Sequence, residues 1–389
     1  MTRKTAAPAY SLAFQFVLTM GVVNLFGDIT YEGGASINGQ FLATLGASAA
    51  TISIVAGLGE FLGYSLRAVA GYIADKTGRY WLVTFIGYFI NAMAVPAMAL
   101  AGSWQIAAVL VLAERTGRAI RKPTVEAMLS YTTGTLGKGW VYALNTALDE
   151  LGATLGPLVI AVVLFFKGSY QAGYALLFVS ALLTLVSLAV ARIGFPLPAK
   201  LEEGRTAAAT GFTPAYWLYM LAGSFFAAGL ISYELIAYHL SNTALVSGPW
   251  VPVFLAFATG SGVIASLVLG RLYDRIGVNA VVVAVILSSL FAPVLFQGSL
   301  AAAFIAMPLF GIGYATQDTL LKALIASVLP EGKRNLAFGL YYTGYGAGWF
   351  IGSIAMGLLY ERSHLALVLF AAAVQLVSLP VFLLAAKRS

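Results

Sequence analysis

Two carboxylates, Asp28 and Glu32, interrupt an otherwise apolar run, Phe26-Gly27-Asp28-Ile29-Thr30-Tyr31-Glu32-Gly33. Four residues apart, they share one face of a helix. A charge at membrane depth is costly and faces a cavity or a partner. The core of this run returns about two hundred residues later as Ile231-Ser232-Tyr233-Glu234, where Leu230 stands at the place of Asp28. Removed from water, such carboxylates can take up and release a proton near neutral pH. Tyr31, Tyr233, Tyr238, Phe225 and Phe226 lie nearby and can hold an amphipathic or cationic molecule through ring faces. The alternative is that Glu32 and Glu234 surface at one mouth of the bundle and the rings serve packing.

Other charges fall in apolar stretches. Asp149 and Glu150 lie about 15 Å from the start of their helix at 1.5 Å per residue. Asp149 shares a stripe with Gly152 and Gly156, so this stripe is expected to pack against a helix of the other half of the chain. Pairing with Arg115 or Arg118 is the alternative for the two acids. Glu60 and Arg67 are two turns apart on one face; Glu60 either lines a cavity or joins an internal ion pair. Asp318 and Lys322 are an i, i+4 pair expected to neutralise each other.

These residues need elements to hold them. Of 389 residues, 60% are hydrophobic and 10% charged, far from the one-quarter charged of a soluble chain. That describes an all-α membrane protein. A span needs about 20 apolar residues. Twelve segments qualify: 11–34, 49–70, 80–101, 103–123, 139–166, 170–193, 214–240, 249–271, 278–297, 299–327, 335–360 and 363–386. The polar break 194–213 reads as a cytoplasmic linker between an N-terminal half, 1–193, and a C-terminal half, 214–389. With the N-terminus inside, fifteen Lys and Arg fall on inner loops and only Lys167 and Arg362 outside. That bias places both termini in the cytoplasm and the chain in the cytoplasmic (inner) membrane as a multi-pass protein.

The halves repeat. Gly71-Tyr-Ile-Ala-Asp75-Lys-Thr-Gly78-Arg79 is answered by Gly270-Arg-Leu-Tyr-Asp274-Arg-Ile-Gly277, and Gly152-x-x-x-Gly156-Pro157 by Gly348-x-x-x-Gly352-Ser353. The offsets are 202 for Glu32/Glu234, 199 for Asp75/Asp274 and 196 for Gly152/Gly348. Parallel six-helix repeats of this kind are a transporter architecture.

At Gly71–Arg79 the sequence resembles the major facilitator superfamily, whose helix 2–3 loop carries this motif with a weaker copy in the loop between helices 8 and 9. Gly152-x-x-x-Gly156-Pro157 is similar to the helix 5 motif of that superfamily's proton-coupled exporters, though the usual further glycine is missing and Gly352 is followed by Ser353. The Glu114–Pro123 stretch is similar to its helix 4 motif. The resemblance implies twelve helices in two pseudo-symmetric six-helix halves, with helices 1 and 7 lining the cavity. It also implies a cytoplasmic gate of Gly71, Asp75, Gly78, Arg79 and Asp274, with Arg118, Arg121 and Glu126 as partners.

The sequence excludes other classes. There is no cysteine and there are two histidines, so no thiolate or His-rich metal centre forms. No phosphate-binding Gly-x-x-x-x-Gly-Lys-(Ser/Thr) loop is present, so ATP is not the energy source. The expectation is a transporter and not an enzyme, with no cofactor beyond a proton as coupling ion. Its partners are a small-molecule substrate and the lipid bilayer, without nucleic acid; a monomer is expected. The leading expectation is proton-coupled export of an amphipathic cationic or neutral compound through Asp28, Glu32, Glu60, Asp149, Glu150, Glu234, Tyr31 and Tyr233. The alternative is transport of a polar metabolite or anion at Arg67, Arg115 and Arg118.

Overall fold

The computed structural model describes residues 6–388 apart from 133–135, 137, 197–210 and 329–333. The side chains of Asp75 and Asp274, and most of the expected linker, lie outside the described residues. Among the described residues there is helix and no strand. In chain order the helices are α1 Ala6–Thr44, α2 Ala49–Thr77, α3 Tyr80–Ala97, α4 Trp104–Ser130, α5 Lys138–Phe165, α6 Tyr170–Gly194, α7 Pro214–Ala228 and α8 Tyr233–Asn242. They continue with α9 Trp250–Ile276, α10 Val278–Ser289, α11 Phe291–Leu295, α12 Leu300–Ala315, α13 Lys322–Ser327, α14 Arg334–Arg362 and α15 His364–Ala386.

Local chemistry sets where they begin. A hydroxyl caps the free N–H groups at Ser48, Ser103, Ser169, Thr213, Ser232, Ser299 and Ser363. Gly78 closes α2 in the left-handed region (φ +64), and its N–H reaches Ala74 O. At the end of the bundle holding residues 45–48, connections are short. Residues 45–48, 101–103, 166–169 and 296–299, and Ser363 alone, join consecutive elements there; 243–249 is the longest.

Ten stretches among the described residues are long and apolar enough to cross a membrane. The expected segments 103–123 and 335–360 are helical, as α4 and α14, but miss that criterion. Helix α4 carries Glu114, Arg115, Arg118, Arg121 and Lys122; α14 is rich in glycine and tyrosine.

Besides 278–297, which divides at Leu290 into α10 and α11, three expected segments change shape. Helix α1 runs ten residues beyond the expected end at 34. Gly33 and Gly34 do not stop it; they are contact points, where a Cβ would press on Leu177 and Gly156 O, and on Val95. Asp28 and Glu32 therefore sit near the middle of a 39-residue helix and not toward one mouth. Segment 214–240 is two helices, broken at Gly229–Ser232 and restarted by the Ser232 cap. Segment 299–327 contains a π-helical turn, Thr316–Leu321, between α12 and α13.

Helix α1 packs on α5 and α6, and α4 on α2 and α3; α7 packs on α14 and α15, and α9 on α12. The glycine stripe behaves differently from expectation. A Cβ at Gly152 or Gly156 would collide with Leu25 O or Ile29 O of α1, and one at Gly348 or Gly352 with Ser224 O or Ala228 O of α7. The stripe thus serves α1–α5 and α7–α14 contacts, close approaches of main chain to main chain within each part of the chain. Pro157 is buried beside it.

The two parts of the chain meet along α2–α14, α1–α8 and α5–α9. On the α2–α14 seam, a Cβ at Gly57 would press on Ser353, at Gly357 on Ala50 and Ser53, and at Gly339 on Ala68. Ser53 Oγ donates to Ser353 O at 2.6 Å, and Ala50 N to Glu361 Oε1 at 3.0 Å. Gln40 Nε2 of α1 donates to Ser241 Oγ at 2.8 Å.

Candidate functional site

The interior charges are collected by one face of α4. Arg115, Arg118 and the Arg121-Lys122 pair recur every three to four residues, so one stripe of that helix is basic. Carboxylates from four other helices come to it.

Arg115 is the hub and is almost wholly buried. Its Nη1 lies 2.6 Å from Glu60 Oε1 of α2, its Nη2 3.0 Å from Glu234 Oε1 of α8, and its Nε 3.5 Å from Glu114 Oε2. The planar guanidinium fork lets one side chain hold two carboxylates in different directions. Glu234 heads α8, so this bridge ties a helix of the second part of the chain to the first. Glu114 is held in turn by Asn91 Nδ2 at 2.7 Å.

One helical turn along, Arg118 lies over the Tyr31 ring at 4.0 Å, and Arg115 lies 4.9 Å from the same ring. Tyr31 is thus held between two guanidinium groups. Among the described residues Arg118 makes no ion pair, its Nε is buried without a hydrogen-bond partner, and its foremost acidic neighbour is Glu32. Arg118, expected at a cytoplasmic gate, lies over Tyr31 one turn from Arg115.

A second knot surrounds Asp28. Arg121 Nη2 lies 3.3 Å from Asp28 Oδ1, and its Nη1 donates to Tyr88 Oη at 3.1 Å. Tyr88 donates to Asn24, whose amide donates to Asn145 Oδ1 of α5 at 2.8 Å. Lys122 Nζ lies 3.5 Å from Asp149 Oδ2. A Cβ at Gly152 would lie 3.1 Å from Asp28 Cβ, so Asp28 faces α5 one turn from Asp149. Two ionised carboxylates this near repel, and a proton on either relieves the repulsion. Asp149 Oδ1 is buried and has no hydrogen-bond partner.

An exposed pair lies beside this knot. Asp318 and Lys322 form the expected pair at 2.8 Å, with side chains 54% and 41% exposed, so the π-helical turn does not enclose them. Glu150 is half-buried, with Asp318, Asp149 and Lys122 as its charged neighbours.

The remaining expected residues divide. The Tyr233 hydroxyl bonds Val251 O and fastens α8 to α9. A Cβ added at Gly71 would meet Pro123 of α4 at ordinary contact distance. Arg79 is exposed at the start of α3, where its N–H reaches Thr77 Oγ1. The acids are not the unpaired excess their own helices suggest: Asp28, Glu60, Asp149 and Glu234 each find a base on α4. For Asp149 it is Lys122, and not Arg115 or Arg118. Asn24, Tyr88, Asn91 and Asn145 were not among the expected site residues; the signal for three of them is an amide inside an apolar segment.

The wider likeness is consistent along the chain. A family model described as Major Facilitator Superfamily matches residues 12–278 and 212–389. An uncharacterised protein of Mycobacterium tuberculosis is 33% identical over 382 residues, covering 96% of this chain and 93% of that one. An uncharacterised MFS-type transporter of Methanocaldococcus jannaschii is 26% identical over 359 residues, 89% of each. Among solved structures, an auto-inhibited POT family peptide transporter superposes with a TM-score of 0.76 at 13% identity, over 96% of this chain and 97% of that one. With this helical architecture and a charged interior, the chain belongs to the Major Facilitator Superfamily of transporters.

Proposed function

We propose that this transporter is proton-coupled and exports an amphipathic cationic or neutral small molecule across the cytoplasmic membrane. It works as a monomer of twelve spanning helices in two six-helix halves with both termini inside. The observation that carries proton coupling is a pair of buried carboxylates, Asp28 of α1 facing α5 beside Gly152 and Asp149 one turn away, bridged to Arg121 and Lys122 of α4. Such a pair binds one proton between two helices, and its loss sets two like charges against each other. The Arg115 bridge gives that event a route outward. Its Glu60 arm ties α2 to α4 and its Glu234 arm ties α8 to α4, so a change of charge at the bridge is felt by a helix of each part of the chain.

The sign of the interior charge favours a cation. Asp28, Glu32, Glu60, Glu114, Asp149, Glu150, Glu234 and Asp318 stand against Arg67, Arg115, Arg118, Arg121, Lys122 and Lys322. The test is efflux of a fluorescent organic cation such as ethidium from proteoliposomes under an imposed pH gradient. Wild-type transport should collapse with the gradient, and Asp28→Asn should abolish the response. Rates indifferent to the gradient sink proton coupling.

Arg118 supports a second reading. A guanidinium without an ion pair beside Tyr31 is suited to the anionic group of a polar metabolite, with Arg115 at the same ring and Arg67 farther along at Tyr64. Thermal stabilisation separates the two readings: organic cations raise the melting temperature under the first, carboxylates or sugars under the second.

A further inference from the structure

The chain has two histidines, and the fold brings them together at the 45–48 end, far along the sequence and away from the charged interior. His239 of α8 and His364, the first residue of α15, have ring centroids 5.4 Å apart. His239 is buried in an aromatic nest: Phe296 at 4.4 Å, and Tyr360 of α14 at 5.7 Å between centroids. Its Nδ1 is 3.0 Å from the Tyr360 hydroxyl. Its Nε2 is buried without any hydrogen-bond partner. His364 is exposed.

Chemistry narrows what this group is for. A neutral imidazole has one N–H and one lone pair. Here Nδ1 is engaged and Nε2 is left without a partner, an arrangement that suits the neutral ring. A proton added to the ring leaves an N–H with no acceptor and a charge in apolar surroundings. Among the described residues, the titratable groups against it are Tyr360 on α14 and His364 on α15; Tyr238 of its own helix packs on Tyr360, and Glu361 follows Tyr360 in α14. Glu361 is already bound to Ala50 N at 3.0 Å. His364, itself able to charge, adds repulsion. The Phe296 face offers the ring weak attraction and no hydrogen bond.

The same helix α8 closes this end of the molecule. Besides His239 it carries Ser241, bound to Gln40 of α1, and its Glu234 main chain lies against Gly39. We propose that His239 is a second protonation site and acts as an acid-released lock on the 45–48 end. Neutral, it docks α8 onto α14 and α15; protonated, it leaves the nest, and α8 separates from α1. The lock faces outward on the orientation proposed above. External acid then opens the side from which a driving proton enters.

The test uses the natural absence of cysteine. Ser36 of α1 is fully buried, one turn from Gly39. A single Ser36→Cys reports opening by its reaction with a membrane-impermeant maleimide in right-side-out vesicles. Its rate is divided by that of an exposed control, Ser247→Cys, to cancel the pH dependence of thiol reactivity. The ratio should rise several-fold between pH 7.5 and 5.5 with His239 present. It should stay flat with His239→Gln, which keeps a donor for Tyr360, provided melting shows the variant folded. An unchanged ratio in the His239 protein overturns the proposal. So does a rise that survives His239→Gln; if that rise is lost in Asp28→Asn, the pH response belongs to the interior pair, and proton coupling there stands without this lock.

Discussion

Arg115 holds three carboxylates in a place where water does not compensate a lost partner. Replacing it with Met leaves Glu60 and Glu234 without the base that each one bridges. Removing one member of a buried pair costs about 3–5 kcal/mol, so Arg115→Met should lower the melting temperature in detergent markedly. Glu60→Gln with Glu234→Gln in the same chain should restore part of it. Arg115→Lys should fall between, because a single ammonium cannot reproduce a two-armed fork. A melting temperature unchanged in Arg115→Met contradicts the bridge. The acids of this site are legible in the sequence because charge is rare in an apolar segment. Their partners are not. A helix-by-helix reading finds no base on the segments bearing Asp28 and Glu234, whereas pairing is decided by which helices touch, and that is α4 against α1, α2 and α8.

At the scale of elements, glycine was the ambiguous letter. Gly33-Gly34 resembles a helix end, yet α1 continues through it, since both glycines are needed for contact with α3, α5 and α6. Gly152 and Gly156 could be recognised as a packing stripe, but a stripe does not name its partner. Gly152→Val should push α1 from α5 at a cost of about 1–3 kcal/mol and separate Asp28 from Asp149. The matching change, Gly348→Val, acts on α7–α14 and should spare the Asp28 knot. Lower stability in both, with the pH response of transport lost only in the first, is the expected outcome; transport assays at several pH values check it. The break at Gly229–Ser232 was hidden because its residues are as apolar as their neighbours. Ser232→Ala removes the cap that restarts α8 and should cost about 1 kcal/mol, read as a lower melting temperature.

For the whole molecule, the sequence carries the class, the repeat and most spans, because hydropathy and motif spacing are one-dimensional quantities. The seam between the two parts is not one-dimensional. It runs along α2 and α14, where Gly57, Gly339 and Gly357 let main chains approach. A bulky side chain there should act as a wedge. Gly357→Leu is expected to hold the 45–48 end apart, raise maleimide labelling of Ser36→Cys at neutral pH, and slow transport. Labelling as slow as with Gly357 intact would show that this seam is not what closes that end.

The short, serine-capped connections at the 45–48 end have a consequence for anyone raising reagents against this protein. Residues 45–48, 101–103, 166–169, 296–299 and Ser363 give an antibody or nanobody very little to grip. Residues 243–249 form the longest epitope on that face, and they join α8, which bears His239, to α9. A binder selected against this end of the purified transporter should therefore converge on 243–249 and, by clamping that connection, trap a single conformation.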